Sequence, residues 1–168
     1  MNIVLTGFMG TGKTAVGREL SRILNMEIVD IDDEIERSRK MKISDIFKDF
    51  GEACFRDIET EMIKKFSMAD NIIISTGGGA VLRRENMEAL RVNGTVFCLS
   101  AGPRTILERT MENDDRPLLK GDNPMARIED LLSFRRPLYE QAGILIDTEG
   151  RTPLQVASEI VEILKCRR

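Results

Sequence analysis

Residues 7–14 read Gly7-Phe8-Met9-Gly10-Thr11-Gly12-Lys13-Thr14, a complete GxxxxGK[ST] match. The motif needs a strand before it and a helix after it, and both are legible. Ile3-Val4-Leu5 is a short apolar run, and Ala15 to Leu24 has the spacing of an amphipathic helix. Glycines let backbone N–H groups turn inward around an anion, and the helix N-terminus adds partial positive charge. A lysine at position 13 reaches β- and γ-phosphates, and a Thr14 hydroxyl suits Mg²⁺. Outward from this loop the pattern repeats. Further strands are expected at Glu27–Asp30, Ile72–Ile74, Thr95–Leu99 and Ile144–Ile146, and further helices at Cys54–Phe66, Thr105–Met111, Ala126–Tyr139 and Leu154–Leu164. Strand and helix in alternation, with strands apolar on both faces, give an α/β fold: a three-layer αβα sandwich around a five-stranded parallel sheet.

Composition narrows the chemistry. The chain has 168 residues, 42% hydrophobic and 32% charged, enough apolar material for one packed domain over residues 1–168. Its net charge of −3 argues against nucleic acid as a partner. With no histidine, a Ser-His-Asp triad, an imidazole base and a His-ligated zinc site are all excluded. Acid–base work must fall to carboxylates, lysines or the substrate itself. Three cysteines without a CxxC pair suit a reducing cytoplasm. The longest uncharged run, Asn71 to Leu82, is interrupted by three glycines and is too short for a membrane span.

The loop alone does not choose among ATPases, GTPases and kinases. An NKxD guanine motif is absent, and the one DxxG, at Asp147–Gly150, falls too late for a γ-phosphate switch. Asp30-Ile31-Asp32 closes the second strand, at the edge where ligands gather in open α/β sheets. Asp32 is there either to cap the following helix or to face a ligand. Phe47-x-x-x-Gly51-Glu52-x-x-Phe55-Arg56-x-x-Glu59 follows, in which Arg56 is either a surface partner of Glu52 or a binding group. Ile72 to Gly79 then runs a buried strand into three glycines, an arrangement that suits close backbone approach to a ligand. Residues 112–124 crowd Asn, Asp, Gly and Pro around Arg116 and are expected to form a lid.

Taken together, the GFMGTGKT loop, the DID strand end, FKDFGEACFRDIE, STGGG, Arg116-Pro117-Leu118-Leu119 and Arg135-Arg136-Pro137-Leu138-Tyr139 resemble the shikimate kinases, in the nucleoside-monophosphate-kinase-like P-loop group. The resemblance covers nearly the whole chain in order. It implies ATP as co-substrate, Mg²⁺ as cofactor, shikimate as acceptor and a monomer. Residue by residue, it implies that Gly10, Thr11, Gly12, Lys13, Thr14 and Ala15 hold the phosphates, with Thr14 and Asp30 toward Mg²⁺. Asp32, Arg56, Arg135 and the Gly77-Gly78-Gly79 turn would hold shikimate, within an acceptor segment of about residues 31–60. Arg116 would reach the phosphates from the lid, Arg109 and Arg151 would flank adenine, and Lys13, Asp32 and Arg116 would carry catalysis. Arg135 is preferred over Arg136 because it lies one helical turn before Tyr139. The competing readings are another small-molecule P-loop kinase, of gluconate or nucleoside-monophosphate type, and an ATP-binding module without turnover.

Overall fold

A computed structural model describes residues 1–111 and 123–167. Five strands form one parallel sheet: β1 (Asn2–Gly7), β2 (Glu27–Asp30), β3 (Ile72–Ser75), β4 (Gly94–Ser100) and β5 (Ile144–Asp147), in the order β2-β3-β1-β4-β5. Helices α1 (Lys13–Leu24), α2 (Ile31–Arg39), α3 (Ile43–Ser67), α4 (Arg84–Val92), α5 (Pro103–Met111), α6 (Pro124–Ala142) and α7 (Pro153–Cys166) connect them. The expected αβα sandwich and its five strands are therefore present.

Alternation along each strand divides the core into two layers. Ile3, Leu5, Ile73, Phe97 and Leu99 point to one face, where Val16 and Leu20 of α1 and Val156, Ala157 and Ile160 of α7 cover them. Val4, Ile72, Ile74, Val96 and Cys98 point to the other, against Ile58, Met62 and Ile63 of α3, Leu90 of α4, Ile106 of α5 and Ile128 of α6. Burying both faces explains why the central strands β1, β3 and β4 read as apolar runs.

Three elements depart from the sequence reading. Residues 43–50 and 84–92 are helical although no helix is expected over them, and the expected helix at 54–66 is the second half of a longer one. Gly51, at φ 82° and ψ 170°, breaks α3 into two pieces, a conformation that glycine adopts without steric cost. At the end of the stretch expected as a lid, Asn123 caps α6 by accepting from the Ala126 amide, and Pro124 is the first residue of that helix. The rest of that stretch, with Arg116, lies outside the described residues.

Candidate active site

Both glycine-rich loops leave the same end of the sheet from adjacent strands. β1 and β3 pair in parallel with Leu5 opposite Ser75, so the loop after Gly7 and the glycine turn after Thr76 emerge side by side. Between them opens a cavity of about 780 Å³, lined by both loops and by groups from α1, α2, α3, α5 and α6. A crevice at the carboxyl ends of the strands is where an open α/β sheet binds ligands.

The donor half is a backbone cradle. Gly12, which has no side chain to cap with, stands at the start of α1 at φ 93°, and a helix N-terminus carries the partial positive charge that suits an anion. The Lys13 ammonium spans the loop, donating to the carbonyls of Gly7 and Phe8 at 2.8 and 2.9 Å. Gly10, Gly12, Lys13, Thr14 and Ala15 line the cavity. Thr11 does not. It is buried behind the loop, with its hydroxyl donating to Phe8 O at 2.7 Å and its amide aimed at the same oxygen. Its side chain shapes the turn rather than facing a ligand.

The acceptor half is made of charged side chains. Asp30 caps α2: its Oδ1 accepts from the Asp32 amide, and its Oδ2 accepts from Ser75 Oγ. The capping role weighed for Asp32 thus belongs to Asp30, and the Asp32 carboxylate is released toward the cavity. Its Oδ1 is sealed from solvent without a hydrogen-bond partner. Burial chiefly, then the charges of Asp30 and Glu59, push the Asp32 carboxyl up to about 7 against the pull of Lys13 and Arg56. Burial also raises Asp30, and Ser75 opposes the rise.

Arg56 and Glu59 lie one turn apart on α3 and pair at 2.7 Å, with Glu59 fully buried and Arg56 nearly so. Glu52 adds a second, exposed carboxylate to the same guanidinium at 3.1 Å. So the i,i+4 pair with Glu52 exists, but Arg56 is not a solvated surface group. Arg135 is likewise buried, its guanidinium 5.9 Å from the centre of the Phe8 ring and its Nε without a partner. Arg136, its neighbour, points outward and pairs with Glu140 at 2.9 Å.

The three glycines answer to three different neighbours. A Cβ on Gly77 would sit 2.9 Å from Asp32 Oδ1 and 3.2 Å from Glu59 Oε1. One on Gly78 would press on Gly7 O at 3.2 Å, and one on Gly79 would strike both terminal nitrogens of Arg56 at 2.3 Å. The turn is side-chain-free because the acceptor charges and the phosphate loop fill that space.

The remaining groups gather at the β5–α7 turn. Arg109 donates to Gly10 O and to the carbonyl and hydroxyl of Thr148, and it lines the cavity. Arg151 grips the same turn through Asp147 O but is drawn away from the cavity by its pair with Glu159. Glu59 and Tyr139 were legible in the sequence only as letters of a motif. The signal for Glu59 was its i+3 spacing from Arg56, which places a carboxylate and a guanidinium on one helix face.

A parallel sheet with GxxxxGK[ST] after its first strand, and charged acceptor groups across the cavity, defines a P-loop phosphotransferase. The sequence model of the shikimate kinase family matches residues 9–165, and the chain belongs to that family. Shikimate kinase of Thermodesulfovibrio yellowstonii is 52% identical over 161 residues, covering 96% of this chain and 93% of that protein. The enzyme of Persephonella marina is 45% identical over 160 residues, covering 95% and 96%. Among solved structures, shikimate kinase from Acinetobacter baumannii, in complex with shikimate, superposes with a TM-score of 0.95 at 36% identity, covering 99% of this chain and 94% of that one.

Proposed function

We propose that this protein transfers the γ-phosphoryl group of ATP to the 3-hydroxyl of shikimate, giving shikimate 3-phosphate and ADP. The observation that carries the reading is the acceptor half: two buried guanidiniums, Arg56 and Arg135, and the Asp32 carboxylate share one cavity with the phosphate loop. Shikimate is a small anionic triol, and such a set suits it. Arginines grip a carboxylate in two-pronged geometry, and Asp32 accepts or orients the hydroxyl proton. A carboxyl titrating near 7 is matched to that task at neutral pH. Gly78 and its neighbours meet the ring by backbone. Lys13, with the amides at the start of α1, neutralises charge on the transferring phosphoryl, and Arg116 joins it from the lid at about 112–124. Arg109 flanks adenine, and Arg151 holds the β5–α7 turn beside it instead of facing the nucleotide.

Thr14 and Asp30 are the groups for Mg²⁺. Both line the cavity and both offer oxygen, the donor type that this ion takes. When bound, the ion would supply charge neutralisation at the phosphates. Free thiols at Cys54, Cys98 and Cys166 support a cytoplasmic setting. Among the described residues no helix is long and apolar enough to cross a membrane.

The test is ATP consumption with purified protein and Mg²⁺. Turnover is expected with shikimate and not without it. Equal consumption in both, or none in either, rules the reading out.

A further inference from the structure

Tyr139 is the single tyrosine of the chain, and it is buried at the end of α6 nearest the sheet. A buried phenol needs a partner for its hydroxyl, and this one donates to Gly78 O at 2.7 Å. The Arg135 guanidinium, one helical turn earlier, faces the same phenol oxygen. The carbonyl that accepts this bond belongs to the peptide linking Gly78 to Gly79. On the far side of that peptide the Gly79 Cα is pressed against the Arg56 guanidinium. Tyr139 does not itself line the cavity. Its hydroxyl bonds the glycine turn and feels the charge of both guanidiniums.

We propose that Tyr139 is a positioning residue for the acceptor: one hydroxyl holds the Gly78–Gly79 peptide and Arg135 in a fixed relation, and so sets the spacing of the two guanidiniums that take the carboxylate. The inference rests on the reading of shikimate as acceptor. Burial pushes the phenol up to about 12, so it remains an O–H donor throughout the working pH range. Phenylalanine would keep the ring and leave Gly78 O without its bond.

The experiment uses the full chain with Tyr139→Phe. Shikimate affinity by calorimetry is expected to fall about five- to tenfold, the usual effect of one net hydrogen bond, while KM for ATP and kcat at saturating shikimate stay within about twofold. Shikimate affinity within twofold of the unmodified protein overturns the proposal. So does a parallel loss for shikimate and ATP with a lower Tm, which marks a general packing role. A second measurement needs no substitution. Because there is one tyrosine, 3-fluorotyrosine labelling gives one ¹⁹F resonance, expected to shift with shikimate and not with ADP alone. A resonance that shikimate leaves unmoved overturns the proposal. Absence of shikimate-dependent turnover in the unmodified protein would instead overturn the functional reading.

Discussion

On the donor side of the cavity the side chains of the loop are held by its own backbone before any ligand arrives. Lys13 lies across two carbonyls of its own loop, Thr11 closes the turn behind it, and the cradle is mostly backbone. On the acceptor side, Asp32 Oδ1, Glu59 Oε1 and Arg135 Nε are buried without a hydrogen-bond partner. An unmet buried polar group is costly, about 1–3 kcal/mol each, so the acceptor half carries a penalty in the folded chain. The contrast teaches that the two halves select differently. A backbone cradle recognises phosphate generically, whereas the identity of the acceptor is written in side chains held under electrostatic tension.

The largest expected effect lies on the donor side. Lys13→Ala should lower kcat on the order of 10³-fold with little change in Tm, because its charge matters most as the phosphoryl group moves. A near-normal kcat would break the assignment of the phosphate loop.

Asp32→Asn comes next and tests the stored penalty directly. Activity should fall about 10²-fold or more, in the range for a general base. The ligand-free protein should nevertheless become more stable at pH 8. The carboxyl rises from its ordinary 3.8 to about 7 on folding, so between those values the folded chain holds a proton that the unfolded chain releases. Stability therefore falls as pH climbs from about 4 to about 7 and levels off above. The neutral amide escapes that loss, on the order of 2–4 kcal/mol at pH 8, and the advantage should vanish near pH 4. A Tm difference that ignores pH would remove the tension from this account.

Arg135→Ala and Arg56→Ala should each weaken shikimate binding by about 1.5–3 kcal/mol and leave ATP nearly untouched. They should part company in stability. Removing Arg56 strands the buried Glu59, and losing one partner of such a pair costs about 3–5 kcal/mol. Adding Glu59→Gln to Arg56→Ala should return part of that stability without returning affinity. Additivity of the two changes in thermal unfolding would argue against the pairing.

The smallest effect sharpens the comparison. Arg136→Ala breaks an exposed pair with Glu140 and should shift stability and shikimate affinity by less than about 0.5 kcal/mol each. Two adjacent arginines, one buried and one in solvent, then differ by tenfold or more in what they contribute to binding.

Much of this was legible in the chain. The three central strands stand out because burial on both faces leaves apolar runs, and the phosphate loop because its glycines and lysine have fixed spacing. The first half of α3 was not legible: Gly51 interrupts it, and residues 43–50 are too short a segment for helical periodicity to assert itself. Helix α4 was hidden by its polar surface, since few of its residues face the core. Within the site, Asp32 read equally as a cap or a ligand group. Only the Asp30 Oδ1 contact to the Asp32 amide, a matter of local angles, decides between them. The burial of Glu59 beneath Arg56 depends on how α3 meets the glycine turn, a tertiary fact that no local pattern carries.

The pairing of β1 with β3 has a consequence for tolerance. The ladder continues past the last strand residue to Thr76, whose amide donates to Leu5 O at 3.0 Å, so hydrogen bonding reaches to within a residue or two of both loops. Donor and acceptor halves are thus set apart by one strand spacing, about 4.8 Å, with no flexible chain in between. The two strands work as a gauge block. Inserting or deleting a single residue near Thr6 or Ser75 would slide one half past the other by about 3.4 Å, more than an in-line transfer can absorb. Length changes in surface turns have no such lever on the reaction. The molecule keeps its tightest dimensional standard in its least conspicuous part, two short paired strands.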